Sequence, residues 1–451
     1  MRLQSTHVDT RHLRELLADG NTAAAAELAF ALTPTELADL LVRLGPTELA
    51  LLESHLGTER IADAVAELDP SEAARLLVRF SRAEAADILE EMEPDDATDV
   101  VEELGEGEAE HILAEMRSAD AEEIRELLAY PPQTAGGRMT PDFVAISPGL
   151  TVAAAMRLIR AQAPDAETIY YVYVTDRYNR LQGVVSLRDL VLAEPRQLIA
   201  DVMRRQVIHV PAAADQEQAA RLLLDHNLLA LPVVDYQGRL LGVITIDDVA
   251  DVLEEEATED IEKLGGSQPL EEPYLSASMF QIFRKRIVWL LVLFLAATQT
   301  STVISIFSLE LEHVVALSFF IPLLIGTGGN VGSQIVTTVV RAMAVGEVRF
   351  THLWRVLGRE LVICLVVGLV MAAATMIRAG TMNLDLGIAV SAALAALFIV
   401  LWAGSVAAML PMVLRRLGLD PAVMSAPLIT TFVDGTGLLI YFLIARAVLN
   451  L

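Results

Sequence analysis

The sequence predicts a multidomain membrane protein: an α-solenoid N domain, an α/β tandem pair and an all-α domain of five transmembrane helices. Three observations carry that assignment. A twelve-residue apolar period runs through residues 1–130, a strand–helix–hairpin–helix pattern occurs twice within residues 138–256, and long apolar runs fill residues 284–451. A chain of 451 residues exceeds the ordinary size of one domain. Its charge divides the same way. The whole chain has 33 basic and 60 acidic residues, but from Ser276 onward the counts are 11 and 7, so the acidic excess lies entirely in the first 275 residues. Such a surface repels phosphate backbones, and no nucleic-acid partner is expected. The single cysteine, Cys364, sits in an apolar run and can form no intrachain disulfide, which fits a cytosolic setting for the acidic part. No signal peptide is expected, because charged residues interrupt the N-terminal apolar stretches.

In the N domain, positions 32, 44, 56, 68, 80, 92, 104, 116 and 128 are all Leu, Phe or Met. The intervening units read "TPTELADLLVR", "GPTELALLESH", "DPSEAARLLVR", "SRAEAADILEE" and "EPDDATDVVEE". Each opens with Pro or a Ser/Thr/Asp start signal and an acidic first turn, then continues in helix formers with an apolar stripe. Two- to three-turn helices with tight corners follow. None can bury its stripe alone, so neighbours must stack. A single long helix is disfavoured by prolines at 34, 46, 70 and 94.

From Arg138 the pattern changes. Residues 138–200 and 201–256 each give a short strand, a helix, a hairpin and a helix that follows "GVVSLRD" or "GVITIDD". On this duplicated motif the segment resembles a tandem pair of CBS domains, regulatory modules that dimerise and often bind adenosine nucleotides. The resemblance maps ribose-binding positions to Ser186 with Asp189 and to Thr245 with Asp248. The same residues also suit helix N-caps. ATP at the pair stays open on this ground.

The stretch "IDDVADVLEEEATEDIEKL" (246–264) opens a connecting helix and linker spanning residues 246–275. Nine of its nineteen residues are carboxylates and only Lys263 is basic. Like-charge neighbours at i,i+3 and i,i+4 oppose this helix by roughly 2 kcal/mol unless a cation neutralises them.

Five apolar spans are expected near 287–308, 314–342, 354–378, 386–412 and 423–449, each able to cross a hydrocarbon core of roughly 30 Å. Arg284, Lys285, Arg286, Arg341, Arg349, Arg355, Arg359, Arg415 and Arg416 gather on one side. The positive-inside rule makes that side, with the N-terminal domains, cytoplasmic and the C-terminus extracytoplasmic in a cell membrane. In "FFIPLLIGTGGNVGSQIVTTVVRAMA" (319–344), Pro322 and the glycines at 326, 328, 329 and 332 are expected to break the span, freeing carbonyls beside Asn330, Ser333 and Gln334, with close helix packing as the alternative use of the glycines. The fifth span carries Thr430, Thr431 and Asp434, and Asp434 is the only carboxylate well inside a span. An intramembrane acid marks a functional site by default.

The stretches "PLLIGTGGNVGSQ" and "DPAVMSAPLITTFVDGTGLLIYF", with the order of domains, resemble the MgtE family of magnesium channels over nearly the whole chain. The resemblance implies a homodimeric, Mg²⁺-selective channel with the second and fifth spans lining a pore. Asp434, Thr430, Thr431, Gly328, Gly329, Asn330, Gly332 and Gln334 take the pore positions. Mg²⁺ dehydrates reluctantly, so carbonyls, amides and paired carboxylates suit its hydrated form. The resemblance further implies closure by cytosolic Mg²⁺ on Asp248, Asp251, Glu256, Glu259 and Asp260 of the connecting helix, Asp215 and Glu217 of the second CBS repeat, and N-domain acids around Asp95 and Asp99. Asn227 stands where the resemblance implies an acid. A proton-coupled or nucleotide-regulated divalent-cation carrier is the alternative reading. An enzyme is not expected, since no His/Cys cluster, Ser/His/Asp set or P-loop is present.

Overall fold

A computed structural model describes residues 13, 16, 21–164, 166–270, 274, 277–418, 420 and 426–451. The first twelve residues of the expected N domain, linker residues 271–273, 275 and 276, and residues 423–425 of the expected fifth span lie outside the described residues. Two compact units, residues 1–254 and 255–451, are taken in turn.

The first unit begins with short helices set about twelve residues apart: α1 (Thr22–Phe30), α2 (Pro34–Leu41), α3 (Pro46–Leu56), α4 (Thr58–Ala66), α5 (Pro70–Leu77), α6 (Arg82–Glu91), α7 (Pro94–Glu103), α8 (Glu106–Glu115) and α9 (Ser118–Leu127). Proline occupies the first turn of α2, α3, α5 and α7, where its missing N–H costs nothing. Reciprocal capping boxes start α2 (Thr33 with Glu36) and α6 (Ser81 with Glu84). Most of these helices pack on the next but one, as α2 on α4, α4 on α6 and α5 on α7. All nine positions of the twelve-residue period lie in or against one apolar core running from Leu13 to Ile124. The periodicity is therefore the solenoid's spine.

The α/β part holds two three-stranded sheets of the same design. The first joins β1 (Phe143–Ile146), β2 (Thr168–Thr175) and β3 (Leu181–Ser186), with α10 (Val152–Gln162), α11 (Leu187–Leu192) and α12 (Ile199–Val202). The second joins β4 (Val210–Pro211), β5 (Ala230–Val234) and β6 (Leu240–Thr245), with α13 (Gln216–Asp225). In each sheet the first strand is parallel to the second and the third antiparallel to it. The polypeptide entering the first repeat pairs with the second repeat before it reaches its own sheet. Ala135 N donates to Ala214 O at 2.8 Å, and Thr140 and Val243 exchange two bonds of 2.9 Å.

Helix α14 (Ile246–Gly265) follows β6, and Gly266 ends it with a left-handed φ of 77°. The second unit contains α15 (Met279–Ile306), α16 (Ser308–His313), α17 (Ile321–Ala344), α18 (Leu353–Thr381), α19 (Leu386–Arg416) and α20 (Ala426–Leu449). A 3₁₀ turn at Val315–Phe320 leads into α17 and another at Phe350–His352 into α18. Among the described residues, five helices are long and apolar enough to span a membrane, as expected. Their ends differ from expectation. A capping box of Ser278 with Gln281 starts α15 at Met279, so Arg284, Lys285 and Arg286 ride on the helix instead of preceding it. The second span is not broken either. Residues 321–344 form one continuous α-helix, with Pro322 in the first turn, where proline is tolerated.

Candidate ion-conduction and metal-sensing sites

The unbroken helix changes what its glycines do. Their carbonyls stay in the helical ladder, and the missing side chains let α17 approach α19 and α20. A Cβ on Gly329 would lie 2.7 Å from Thr430 Cγ2, and one on Gly328 would lie 2.7 Å from Ile399 Cγ2. Gly332 faces Ile429 in the same way. On the opposite side, Asn330 and Gln334 are exposed one turn apart. Two polar side chains in the middle of an apolar helix are costly against lipid, so that face calls for water or a partner.

Across from it, Thr430 Oγ1 donates to Ala426 O (2.9 Å) and sits 3.0 Å from Ser333 Oγ. Thr431 Oγ1 donates to Pro427 O at 2.8 Å. One turn on, Asp434 is half-buried, and its Oδ1 has no hydrogen-bond partner among the described residues. The sequence marked the carboxylate; the structure adds that one of its oxygens is buried with no hydrogen-bond partner among the described residues.

A second acidic site lies in the first unit. Glu93 and Asp95 at the start of α7, Glu167 before β2, and Asp247 and Asp248 at the start of α14 form two overlapping triads. Carboxylate oxygens of Glu93, Asp95 and Glu167 lie within 4.8 Å of one another, as do those of Glu167, Asp247 and Asp248. Asp95 is only 7% exposed. Its Oδ1 and Glu167 Oε2 are buried without a hydrogen-bond partner among the described residues. Burial and nearby carboxylates such as Asp248 push Asp95 well above the usual range. Burial also raises Asp96 to about 7 and Glu167 to about 8, the latter against a hydrogen bond from Thr245. Asp248 is raised by burial too, although Thr245 donates to its Oδ2 through both N (2.9 Å) and Oγ1 (2.7 Å). Carboxylates so crowded and desolvated, with orphaned oxygens, fit a hard divalent cation.

Comparison with known proteins agrees with this architecture. Family profiles match residues 321–444 ("Divalent cation transporter", MgtE), 32–133 (MgtE intracellular N domain), and 135–196 with 199–255 (CBS domain). The chain is 43% identical over 336 residues to "Magnesium transporter MgtE" of Thermus thermophilus, covering 73% of each chain. It belongs to the MgtE family. A "Magnesium transporter MgtE" of Enterococcus faecalis is 41% identical over 329 residues, covering 72% of this chain and 71% of that one. Among solved structures, "the soluble part of a magnesium transporter" aligns with a TM-score of 0.51 at 38% identity, covering 55% of this chain and 98% of that one. The "cytosolic domain of the Mg2+ channel MgtE in complex with ATP" aligns with a TM-score of 0.51 at 37% identity, covering 54% and 99%. MgtE proteins are transporters, so the chain is read as a transporter and not an enzyme.

Within this MgtE chain the expected sensor ligands divide. Asp95 and Asp248 meet in the acidic site, with Asp251 raised by burial on the next turn of α14. Asp99 instead pairs with Arg138 at 2.9 Å, a fixed cation where a metal was expected. Asp215 caps α13 through Glu217 N (3.0 Å), and Glu217 pairs with Arg221. Glu259 pairs with Lys263. Glu256, Glu259 and Asp260 join no candidate metal cluster among the described residues. Asn227 takes a left-handed φ of 50° after α13, a conformation Asn accepts better than most residues. At the nucleotide positions, Ser186 caps α11 by accepting from Asp189 N (3.0 Å), while Thr245 binds Asp248. Glu93, Glu167 and Asp247 belong to these candidate clusters and were not singled out as ligands from the sequence. Glu93 is the first acid of the "EPDD" helix start, whereas Glu167 gives no local signal, because its partners lie more than seventy residues away.

Proposed function

We propose that this chain is a Mg²⁺-selective channel for magnesium uptake, working as a homodimer in the cell membrane and closed by cytosolic Mg²⁺. The observation that carries the reading is Asp434, whose Oδ1 is buried without a hydrogen-bond partner among the described residues, inside an apolar helix long enough to span a membrane. Facing a second copy across a two-fold axis, two such carboxylates repel, and a divalent cation between them relieves both. The exposed Asn330 and Gln334 supply amides suited to the water shell of Mg²⁺. The basic residues flanking the spans support cytoplasmic N-terminal domains and an extracytoplasmic C-terminus.

For closure, Glu93, Asp95, Glu167, Asp247 and Asp248 are the residues that would hold regulatory Mg²⁺, joining N domain to CBS pair. A divalent ion there supplies the charge that crowded carboxylates lack, and so favours the compact arrangement. Similarity to a cytosolic domain solved with ATP supports a nucleotide at the CBS pair. Ser186 and Asp189 are the candidate end, since they lie outside the acidic cluster.

The test is Mg²⁺ uptake into proteoliposomes with a Mg²⁺-sensitive dye. Asp434→Asn should abolish uptake while leaving a folded dimer, and millimolar Mg²⁺ on the N-terminal side should suppress wild-type flux. Full flux through the Asp434→Asn protein would refute the pore assignment. Flux that stops when the proton gradient is collapsed would favour the carrier.

A further inference from the structure

One polar residue of the first span is absorbed neither by the acidic site nor by the pore motifs. Gln299 lies deep in α15, a helix otherwise built of apolar and small hydroxyl-bearing residues at that depth, and α15 packs on α20. Its Nε2 donates to the backbone carbonyl of Thr431 at 2.9 Å. Its side chain also lies flat across Gly435: a Cβ added there would meet Gln299 Cγ at 2.7 Å, Cδ at 2.8 Å and Nε2 at 3.2 Å. Thr431 and Gly435 flank Asp434 on the same turn of α20, and Gly435 is buried. The hydroxyl of Thr431 is spent on its own helix, at Pro427 O, and that of Thr430 is shared between Ala426 O and Ser333 of α17. Gln299 therefore braces, from outside α20, the turn that carries Asp434.

We infer that Gln299 is a positioning residue for the Asp434 carboxylate, and that glycine at 435 exists to let it reach that turn. The inference rests on the reading of Asp434 as the pore acid. An amide that only glued two helices together would lack the second contact, in which the half-buried Gln299 lies against the one residue of that turn without a side chain. An interhelical amide bond inside a membrane generally has modest strength, so its removal leaves a folded chain. Geometry at a charged site is more sensitive, because displacement of about 1 Å changes how a carboxylate meets its ion.

The experiment measures Mg²⁺ uptake by the full-length protein in proteoliposomes, as a function of external Mg²⁺, for Gln299→Met, Gly435→Ala and the double variant. Gln299→Met keeps the volume and removes the donor. It should lower maximal flux at least fivefold and raise the half-saturating Mg²⁺ concentration, with thermal stability and dimer content unchanged. Gly435→Ala should produce the same pair of changes by displacing Gln299. In the Gln299→Met background it should add little, because the contact is already lost. If Gln299→Met is recovered poorly, Gly435→Ala alone decides the matter by its half-saturation. Wild-type flux and half-saturation in either single variant would overturn the inference, as would losses that simply add in the double variant. Asp434→Asn serves as the control. Should it retain flux, the pore reading itself fails. Should it abolish flux while Gln299→Met behaves as wild type, only the present inference fails.

Discussion

Arg138 Nη1 lies 2.9 Å from Asp99 Oδ2, so the segment entering the first CBS repeat is tied by charge to helix α7 of the N domain. The Nε of the same guanidinium donates to Gln216 Oε1 at 3.1 Å, and both partners of the ion pair are largely shielded from solvent. Arg138 is thus a permanent cation at a junction crowded with carboxylates. Arg138→Met should loosen that junction by about 1–3 kcal/mol, since it leaves Asp99 without its cation and removes a hydrogen bond to Gln216. Limited proteolysis of the full chain would read this as faster cleavage between residues 128 and 142 without Mg²⁺, with protection restored by saturating Mg²⁺. Wild-type cleavage rates would show that Arg138 is dispensable there.

The acidic site makes stability depend on pH with a definite sign. Glu167 and Asp96 titrate in the folded state at about 8 and about 7, above the unfolded carboxylate range. Between roughly pH 4 and those folded values the folded state holds more protons than the unfolded one, so stability falls as pH rises through that window. A bound divalent ion removes the penalty by taking the protons' place. Mg²⁺ should therefore raise the melting temperature of the N-terminal part of the full chain more at pH 8 than at pH 6. At a hundredfold excess over its dissociation constant the gain is about 2.7 kcal/mol. Glu167→Gln should reduce both the pH dependence and the Mg²⁺ response. Equal Mg²⁺ shifts at the two pH values would remove this site from the sensor.

How much of this was legible in the sequence follows from the range of each interaction. The solenoid's period and the span-length apolar runs are local patterns, and Leu32, Leu44 and Leu56 occupy the core that their spacing implies. Asp434 was legible because a lone acid in an apolar run contradicts its own surroundings. The glycines at 328, 329 and 332 were recognised, but breaks in the helix were preferred over close helix packing, which is what they serve. Sequence cannot separate those uses, because both need a residue without a Cβ. Glu167, Arg138 and Gln299 gain their meaning from partners some 40 to 130 residues away, and no local period points to them.

The contact between Gly329 and Thr430 gives a prediction with its own rescue. A methyl group on residue 329 would fall 2.7 Å from Thr430 Cγ2, closer than two carbons can sit. Gly329→Ala should push α17 from α20 at a cost of about 1–3 kcal/mol, the ordinary penalty of overpacking. Flux should fall with it. Thr430→Ser removes Cγ2 but keeps the hydroxyl that bonds Ala426 O and Ser333. The pair Gly329→Ala with Thr430→Ser should therefore recover most of the lost stability and flux, measured by thermal unfolding in detergent and by uptake. If the double variant is no better than Gly329→Ala alone, the two helices do not meet through these atoms.

Lys263, the only basic residue of α14, has its Nζ 2.8 Å from Asp420 Oδ2 and also pairs with Glu259 one turn back. Two carboxylates on one ammonium hold Lys263 protonated well above its usual range, although burial works against them. The arrangement neutralises part of the repulsion along an acid-rich helix. It also ties the end of that helix to the segment preceding α20, the span that carries Asp434. All three groups are partly exposed, so the latch contributes modestly, about 1 kcal/mol. If the closed channel depends on α14 staying at that position, losing the latch shifts the gating equilibrium by about fivefold. Lys263→Met should then raise the flux that persists at saturating internal Mg²⁺ by that factor, leaving maximal flux without Mg²⁺ unchanged. Lys263→Arg, which keeps the charge and can reach both carboxylates, should close as the wild type does. A Lys263→Met protein with wild-type residual flux would show that this end of the helix does not report on the gate. A variant that loses flux in both conditions would place Lys263 in folding instead of gating.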